Sequence, residues 1–222
     1  MTKFTLDGEE INLDERTFTN SGCFNKEGEI DGMQTHKDII RYLKTFNDDD
    51  VFLDCGANVG IMSLWIQKGR AIAYEAVEST FQIMKENMKL NPEKNIEAYN
   101  FGLYDSVVHY RVVKNEAEPG RSEIVGNESS PLETIIPDED LKIRLQQEEN
   151  VKLIKIDCES TTRHVLLGIL GIIRKYRPIV IIEGRIDEIM VPMGYKAVGG
   201  ADGNTIYEPK PEPKPEALEG LK

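Results

Sequence analysis

Residues 51–60 read Val-Phe-Leu-Asp-Cys-Gly-Ala-Asn-Val-Gly, an apolar run that ends in an acid and passes through two glycines into a helical pattern. Such a run is a buried strand feeding a tight turn and a helix, the opening unit of a doubly wound α/β sheet. Gly56 and Gly60 let the backbone approach a ligand and let the following helix pack against the sheet. The acid discriminates between ligands. A dinucleotide fingerprint has glycine where this chain has Asp54, and it seats a pyrophosphate on the helix N-terminus. A carboxylate at that point repels phosphate. It suits a ligand with a positive charge and no phosphate, such as the amino group and sulfonium of S-adenosylmethionine.

Strand and helix alternate on both sides of this motif. A helix is expected over 35–44, with Ile39, Ile40 and Leu43 on its apolar face. Then follow strand 51–54, helix 59–68, strand 71–75 and helix 79–90, whose Phe81, Met84 and Met88 share one face. Asn91-Pro92 ends that helix, and strand 96–101 comes next. Residues 105–150 interrupt the alternation: 109–113 reads as an extra strand, 116–137 as loop and 138–148 as a short helix. It resumes with strand 151–157, helix 161–176, strand 179–183 and a last strand or hairpin over 195–207. The 222 residues thus divide into an N-terminal extension, 1–35, one domain, 36–207, and a tail, 208–222. Four prolines alternate with charges in that tail and favour an extended or disordered chain.

Strand 71–75 ends in Glu75, twenty-one residues beyond Asp54, where an acid can accept both hydroxyls of an adenosine ribose. With these residues in place the chain resembles the FkbM family of S-adenosylmethionine-dependent methyltransferases. The likeness rests on VFLDCGANVG, AIAYEAVESTFQIMKENMKLN, VKLIKIDCES, RPIVIIEG and MGYKAV, in that order, across about residues 36–200. It implies a class I methyltransferase fold: a Rossmann-like, mostly parallel sheet of order 3-2-1-4-5 with helices on both faces and a C-terminal antiparallel return. It implies S-adenosylmethionine as cofactor, S-adenosylhomocysteine as product, and O-methylation of a small molecule or sugar. Asp54, Gly56, Ala57, Asn58, Gly60, Glu75, Ala76 and Asp157 are the expected cofactor-binding residues. Two departures stand out. Glu75 is followed by Ala76 where the family has proline. Glu159-Ser160-Thr161-Thr162 replaces Glu-Gly-x-Glu, so its second acid is missing.

In such a sheet the first and fourth strands are neighbours, which sets Asp54 and Asp157 side by side at the carboxyl edge. An alcohol acceptor must lose a proton to a base while it is aligned with the methyl group. Asp157 and Glu159, together with His164 in the first turn of the next helix, are the expected catalytic groups. Glu183 ends the fifth strand nearby, and His36 lies within reach from the N-terminal helix; His109 reads as structural. Three clustered carboxylates suit magnesium, but no spacing demands it, and no metal site is expected. Lys152 or Lys155 should pair with a neighbouring carboxylate. Cys55 and Cys158 each follow a strand-end acid and read as small buried side chains rather than a redox pair.

A net charge of −12 argues against nucleic-acid or anionic-membrane partners, and no Asn-Pro-Pro-aromatic signature of base methylation occurs. Three cysteines form no disulfide framework, and no apolar leader opens the chain; a cytoplasmic protein is expected. The run Val165–Ile173 is apolar all round, more than one buried face needs, and a homodimer through that helix is expected. The missing acid and that helix also motivate a second reading, a scaffold that keeps the cofactor fold without catalysis.

Overall fold

The computed structural model describes residues 1–20, 23–25, 28–113 and 122–211. Beyond residue 211 the expected tail lies outside the described residues. An N-terminal hairpin, β1 (Thr2–Leu6) with β2 (Glu9–Leu13), precedes a short helix α1 (Arg16–Asn20) and α2 (Met33–Leu43). The sheet begins with β3 (Asp50–Cys55), α3 (Ile61–Leu64), β4 (Arg70–Tyr74), α4 (Glu78–Lys89) and β5 (Ile96–Tyr99). Strands β6 (Tyr110–Val113) and β7 (Glu123–Gly126) form a separate antiparallel pair, followed by α5 (Pro137–Arg144). The chain then returns through β8 (Asn150–Ile156), α6 (Thr162–Gly168), α7 (Leu170–Tyr176), β9 (Ile179–Glu183) and α8 (Asp187–Met190) to β10 (Tyr195–Gly199) and β11 (Asn204–Pro209). That last strand reaches two residues into the segment read as tail.

Seven strands run in the order β10-β11-β9-β8-β3-β4-β5. The five from β5 to β9 are parallel, and β11 is antiparallel to both β9 and β10. This is the expected 3-2-1-4-5 order with its antiparallel return. Parallel strands covered on both faces read as continuous apolar runs, because alternate residues enter two different cores. In β3, Val51, Leu53 and Cys55 join Ile154, Ile156, Val165 and Ile173 on one side. Phe52 joins Leu153, Ile39, Leu64 and Trp65 on the other.

The helix expected over 161–176 is two helices. Asp138, in the first turn of α5, accepts hydrogen bonds from the amides of Gly171 at 2.7 Å and Ile172 at 2.9 Å. Its carboxylate thereby caps a fresh helix start, and a Cβ on Gly171 would lie 2.5 Å from that same oxygen. Val165, Leu166, Ile169, Ile172 and Ile173 are all buried within the chain. Most of the apolar run therefore packs within the chain, while Leu167 stays 37% exposed.

Candidate functional site

The chain leaves β3 towards β4 and β5, then returns to β8 and β9 on its other side. The carboxyl ends of β3 and β8 therefore flank a topological switch point, where open α/β sheets bind ligands. A cavity of about 670 Å³ opens there. The turn after β3 forms its floor. Gly56 N–H and Ala57 N–H both donate to Tyr74 O, at 3.0 and 2.8 Å, tying the turn to β4. Gly56 adopts φ 77°, and a Cβ on it would stand 1.9 Å from the carbonyl oxygen of Asp157. Only glycine allows the turn and the end of β8 to come this close.

Glu75 forms one wall. Its Oε2 accepts from Asn58 N–H at 2.9 Å and its Oε1 from Val77 N–H at 2.7 Å. Each oxygen keeps capacity for a further donor. Burial raises its pKa, and the two amides oppose that rise. Ala76, Val77 and Phe101 continue this wall past the end of β5, and Phe101, 38% exposed, offers an apolar face that the sequence reading did not single out.

Asp157, Glu159 and Glu183 converge on the opposite side, each with a carboxylate oxygen within 4.8 Å of the others. Burial raises the pKa of Glu183 first, then the charge of Asp157 and a hydrogen bond between the two carboxyl groups. Thr162 stands where the missing family acid was expected; its hydroxyl donates to Glu183 Oε2 at 3.3 Å and accepts from Cys158 N–H at 3.0 Å. A carboxylate from the next strand thus occupies the neighbourhood of the lost one.

Three expected site residues lie outside the cavity wall: Asp54, Gly60, which packs against Met84, and His164. Asp54 is 0% exposed and is absent from the cavity wall. Its register partner on β8 is Lys155, and paired residues of neighbouring strands project from the same face of the sheet. Lys155 Nζ sits 3.5 Å from Asp54 Oδ1 and 3.8 Å from Asp157 Oδ2, and donates to Gly56 O at 2.6 Å. Burial disfavours the Lys155 charge, but Asp157 and Asp54 outweigh it and hold its pKa above the usual range. So the expected lysine–carboxylate pair exists, and the lysine, not Asp54, reaches the cavity. His164 also stays outside. Its ring stacks on Tyr104 with centroids 4.0 Å apart, and its Nδ1 lies 3.0 Å from Asp105 Oδ2. Val165 and Leu166 take the inward face of α6, which leaves His164 against Tyr104 and Asp105.

Cys55 and Cys158 are free thiols whose pKa values burial raises. Cys23, Asp31 and Gly32 of the N-terminal segment, and Ser122 and Ile124 beside and on β7, complete the cavity opposite Glu75. Among the described residues no helix is long and apolar enough to cross a membrane.

No family model matches the chain. A curated protein, Methyltransferase 1 of Beauveria bassiana strain ARSEF 2860, is 22% identical in an alignment of 149 residues that covers 56% of this chain. The chain spans 60% of that relative's length. The solved structure of methyltransferase FkbM from Methylobacillus flagellatus KT superposes with a TM-score of 0.48 at 15% identity, over 73% of this chain and 44% of that one. Precorrin-6y C5,15-methyltransferase from Geobacter metallireducens GS-15 superposes with a TM-score of 0.51 at 14% identity, over 89% of this chain and 95% of that one. Strand order, antiparallel return and this last superposition agree: the chain has the class I methyltransferase fold.

Proposed function

We propose that the chain is an S-adenosylmethionine-dependent methyltransferase acting on a hydroxyl group of a small molecule or sugar. The observation that carries this reading is the pairing of Glu75 with the turn: one carboxylate, fixed by the amides of Asn58 and Val77, borders the cavity beside a glycine that no side chain can replace. Such a carboxylate suits two ribose hydroxyls, and the close-approach turn suits the amino-acid end of the same cofactor. The cavity fits that group better than a dinucleotide. Asp31, Glu75, Asp157, Glu159, Glu183 and Asp202 line it against the single cation Lys155 among the described lining residues. In addition, α3 is one turn long and offers little macrodipole to a pyrophosphate.

S-adenosylmethionine supplies a methyl group on a sulfonium centre, which leaves as a neutral thioether. The chain's own task is then alignment of the acceptor and removal of its proton. Asp157 and Glu183 are the carboxylates placed for that proton, with Lys155 holding Asp157 on its other side. The N-terminal segment and β7 shape the acceptor end. The acidic wall disfavours phosphorylated and nucleic-acid acceptors.

Calorimetric titration with S-adenosylmethionine, S-adenosylhomocysteine and NAD tests the reading. Micromolar binding of the first two, none of NAD, and at least a tenfold loss in Glu75→Gln are expected. Absence of heat with both sulfur ligands would refute it. The scaffold reading keeps one motive, the replaced acid at Thr162; tight cofactor binding without turnover across a broad acceptor panel would favour it.

A further inference from the structure

His36 comes to the cavity wall from the first turns of α2, only 4% exposed. Trp65 Nε1–H donates to its Nδ1 at 3.0 Å, with the rings edge to face at 86°. An indole nitrogen can only donate, so Nδ1 is bare and the neutral ring carries its proton on Nε2. Burial, and then the charge of Lys155, pushes the ring's pKa down to about 3. The ring is a neutral donor across the physiological range. Among the described residues Nε2–H has no hydrogen-bond partner.

The position of α2 is fixed. Thr35 N–H donates to Asp202 Oδ2 at 2.9 Å, and its hydroxyl donates to Ala201 O at 3.2 Å. Asn204, two residues on, pairs in register with Glu183 of β9. His36 therefore stands on the β8–β9–β11 side of the cavity, with the charges of Lys155 and Asp202 acting on its ring, and shares the cavity lining with the carboxylates proposed to take the acceptor's proton.

We propose that His36 Nε2–H binds the acceptor oxygen and, with Asp157 and Glu183, selects a hydroxyl rather than an amine as the methyl acceptor. This rests on the methyltransferase reading. A hydroxyl oxygen has two lone pairs and one proton. It can accept from His36, donate to a carboxylate, and keep one lone pair for the methyl carbon. As the O–C bond forms and the S–C bond breaks, its proton passes to the carboxylate pair. A neutral amine has a single lone pair, and a hydrogen bond from His36 would consume it.

Nitrogen-15 NMR of histidine-labelled full chain tests this, because only three histidines are present and His36→Gln assigns the signal. Calorimetry with S-adenosylhomocysteine comes first; no binding to wild type would remove the methyltransferase reading itself. In the protein saturated with S-adenosylhomocysteine, His36 should show a protonated Nε2 and a bare Nδ1. Methyl glycosides and cyclic polyols should then shift Nε2, and simple amines of similar size should not. His36→Gln, whose amide can accept from Trp65 and donate to the cavity, should keep binding of the polyol probe, while His36→Phe should lose it at least tenfold. A signal that S-adenosylhomocysteine alone shifts, with a tenfold loss of its affinity in His36→Phe, would assign the ring to the cofactor and overturn the proposal. A protonated Nδ1, or a signal indifferent to every alcohol probe, would overturn it as well.

Discussion

Removing the Lys155 charge should destabilise the chain more than removing the Asp54 charge, and removing both should cost less than the sum. Lys155 Nζ lies 3.5 Å from Asp54 Oδ1 in a region where the two residues are 4% and 0% exposed. At an effective dielectric of about 20 two unit charges at that distance attract by roughly 5 kcal/mol. Desolvation of both ions offsets much of this, so the net value of the pair is small. Breaking it is another matter. In Lys155→Met, Asp54 keeps the Ser63 hydroxyl on Oδ2 at 2.7 Å, but Oδ1 already lacks a hydrogen bond and would lose its counter-charge. A loss of about 3–5 kcal/mol is expected. In Asp54→Asn, Lys155 keeps Asp157 and the Gly56 carbonyl, and the loss should be about 1–3 kcal/mol. Coupling in the double variant should recover about 1–3 kcal/mol. Urea unfolding followed by Trp65 fluorescence measures all four proteins, since this tryptophan is the only one and is fully buried. Additive losses, or a Lys155→Met loss below about 1 kcal/mol, would show that the pair does not hold its own charges in place.

Other outcomes follow from single positions. Gly56→Ala should abolish S-adenosylhomocysteine binding and lower the urea midpoint more than Gly60→Ala. Both glycines have positive φ, but the added methyl meets a backbone oxygen at 1.9 Å in one case and the flexible Met84 side chain at 2.8 Å in the other; equal effects would contradict this. His36 should make the chain acid-labile. Its folded pKa is depressed from 6.5, so the unfolded chain takes up the proton first, and stability present above pH 6.5 is lost as pH falls. About 2 kcal/mol should disappear by pH 5, and a His36→Gln curve as steep as wild type's would exclude the assignment. Glu183 works the other way. Its folded pKa is raised above 4.5, so wild type loses stability as pH climbs through that window. Glu183→Gln should therefore gain on wild type between acid and neutral pH, and a constant difference between their unfolding curves would count against the raised pKa.

What the sequence made legible is what short-range pattern encodes. The strands of the parallel sheet follow from local apolar runs, and their order, with the meeting of Gly56, Glu75, Asp157 and Glu159 at one edge, from what the family resemblance implies. Features set by register or by distant partners did not. Asp54 looked like a ligand because it ends a strand, yet a register shift between Val51 and Phe52 pairs it with Lys155, and no local signal announces such a shift. His164 lies seven residues beyond Asp157 in sequence, but its direction is settled by which neighbours the core claims. The break between α6 and α7 depends on Asp138, more than thirty residues upstream. Strand β7, four residues among polar neighbours, was hidden in a segment read as loop because only pairing with β6 defines it.

On the proposed methyltransferase reading, the same charges should couple cofactor binding to a proton. Around Lys155 stand carboxylates from three adjacent strand ends, Asp54, Asp157 and Glu183, and the last two share a wall of the cavity. Glu183 holds its proton more tightly than usual because burial and Asp157 penalise its charge. A sulfonium placed over this edge would favour the ionised form and lower that pKa, whereas the neutral thioether of S-adenosylhomocysteine would not. Binding of S-adenosylmethionine should therefore release more protons than binding of S-adenosylhomocysteine, in the window above pH 4.5 into which the Glu183 pKa is raised. Calorimetry in buffers of different ionisation enthalpy reads the number directly. The difference should vanish in Glu183→Gln, where the titrating group is gone but the fold is expected to remain. Equal proton release by the two ligands in wild type would mean that the methyl-bearing sulfur does not sit beside Glu183, and it would move the acceptor end of the cavity away from the β8–β9 edge.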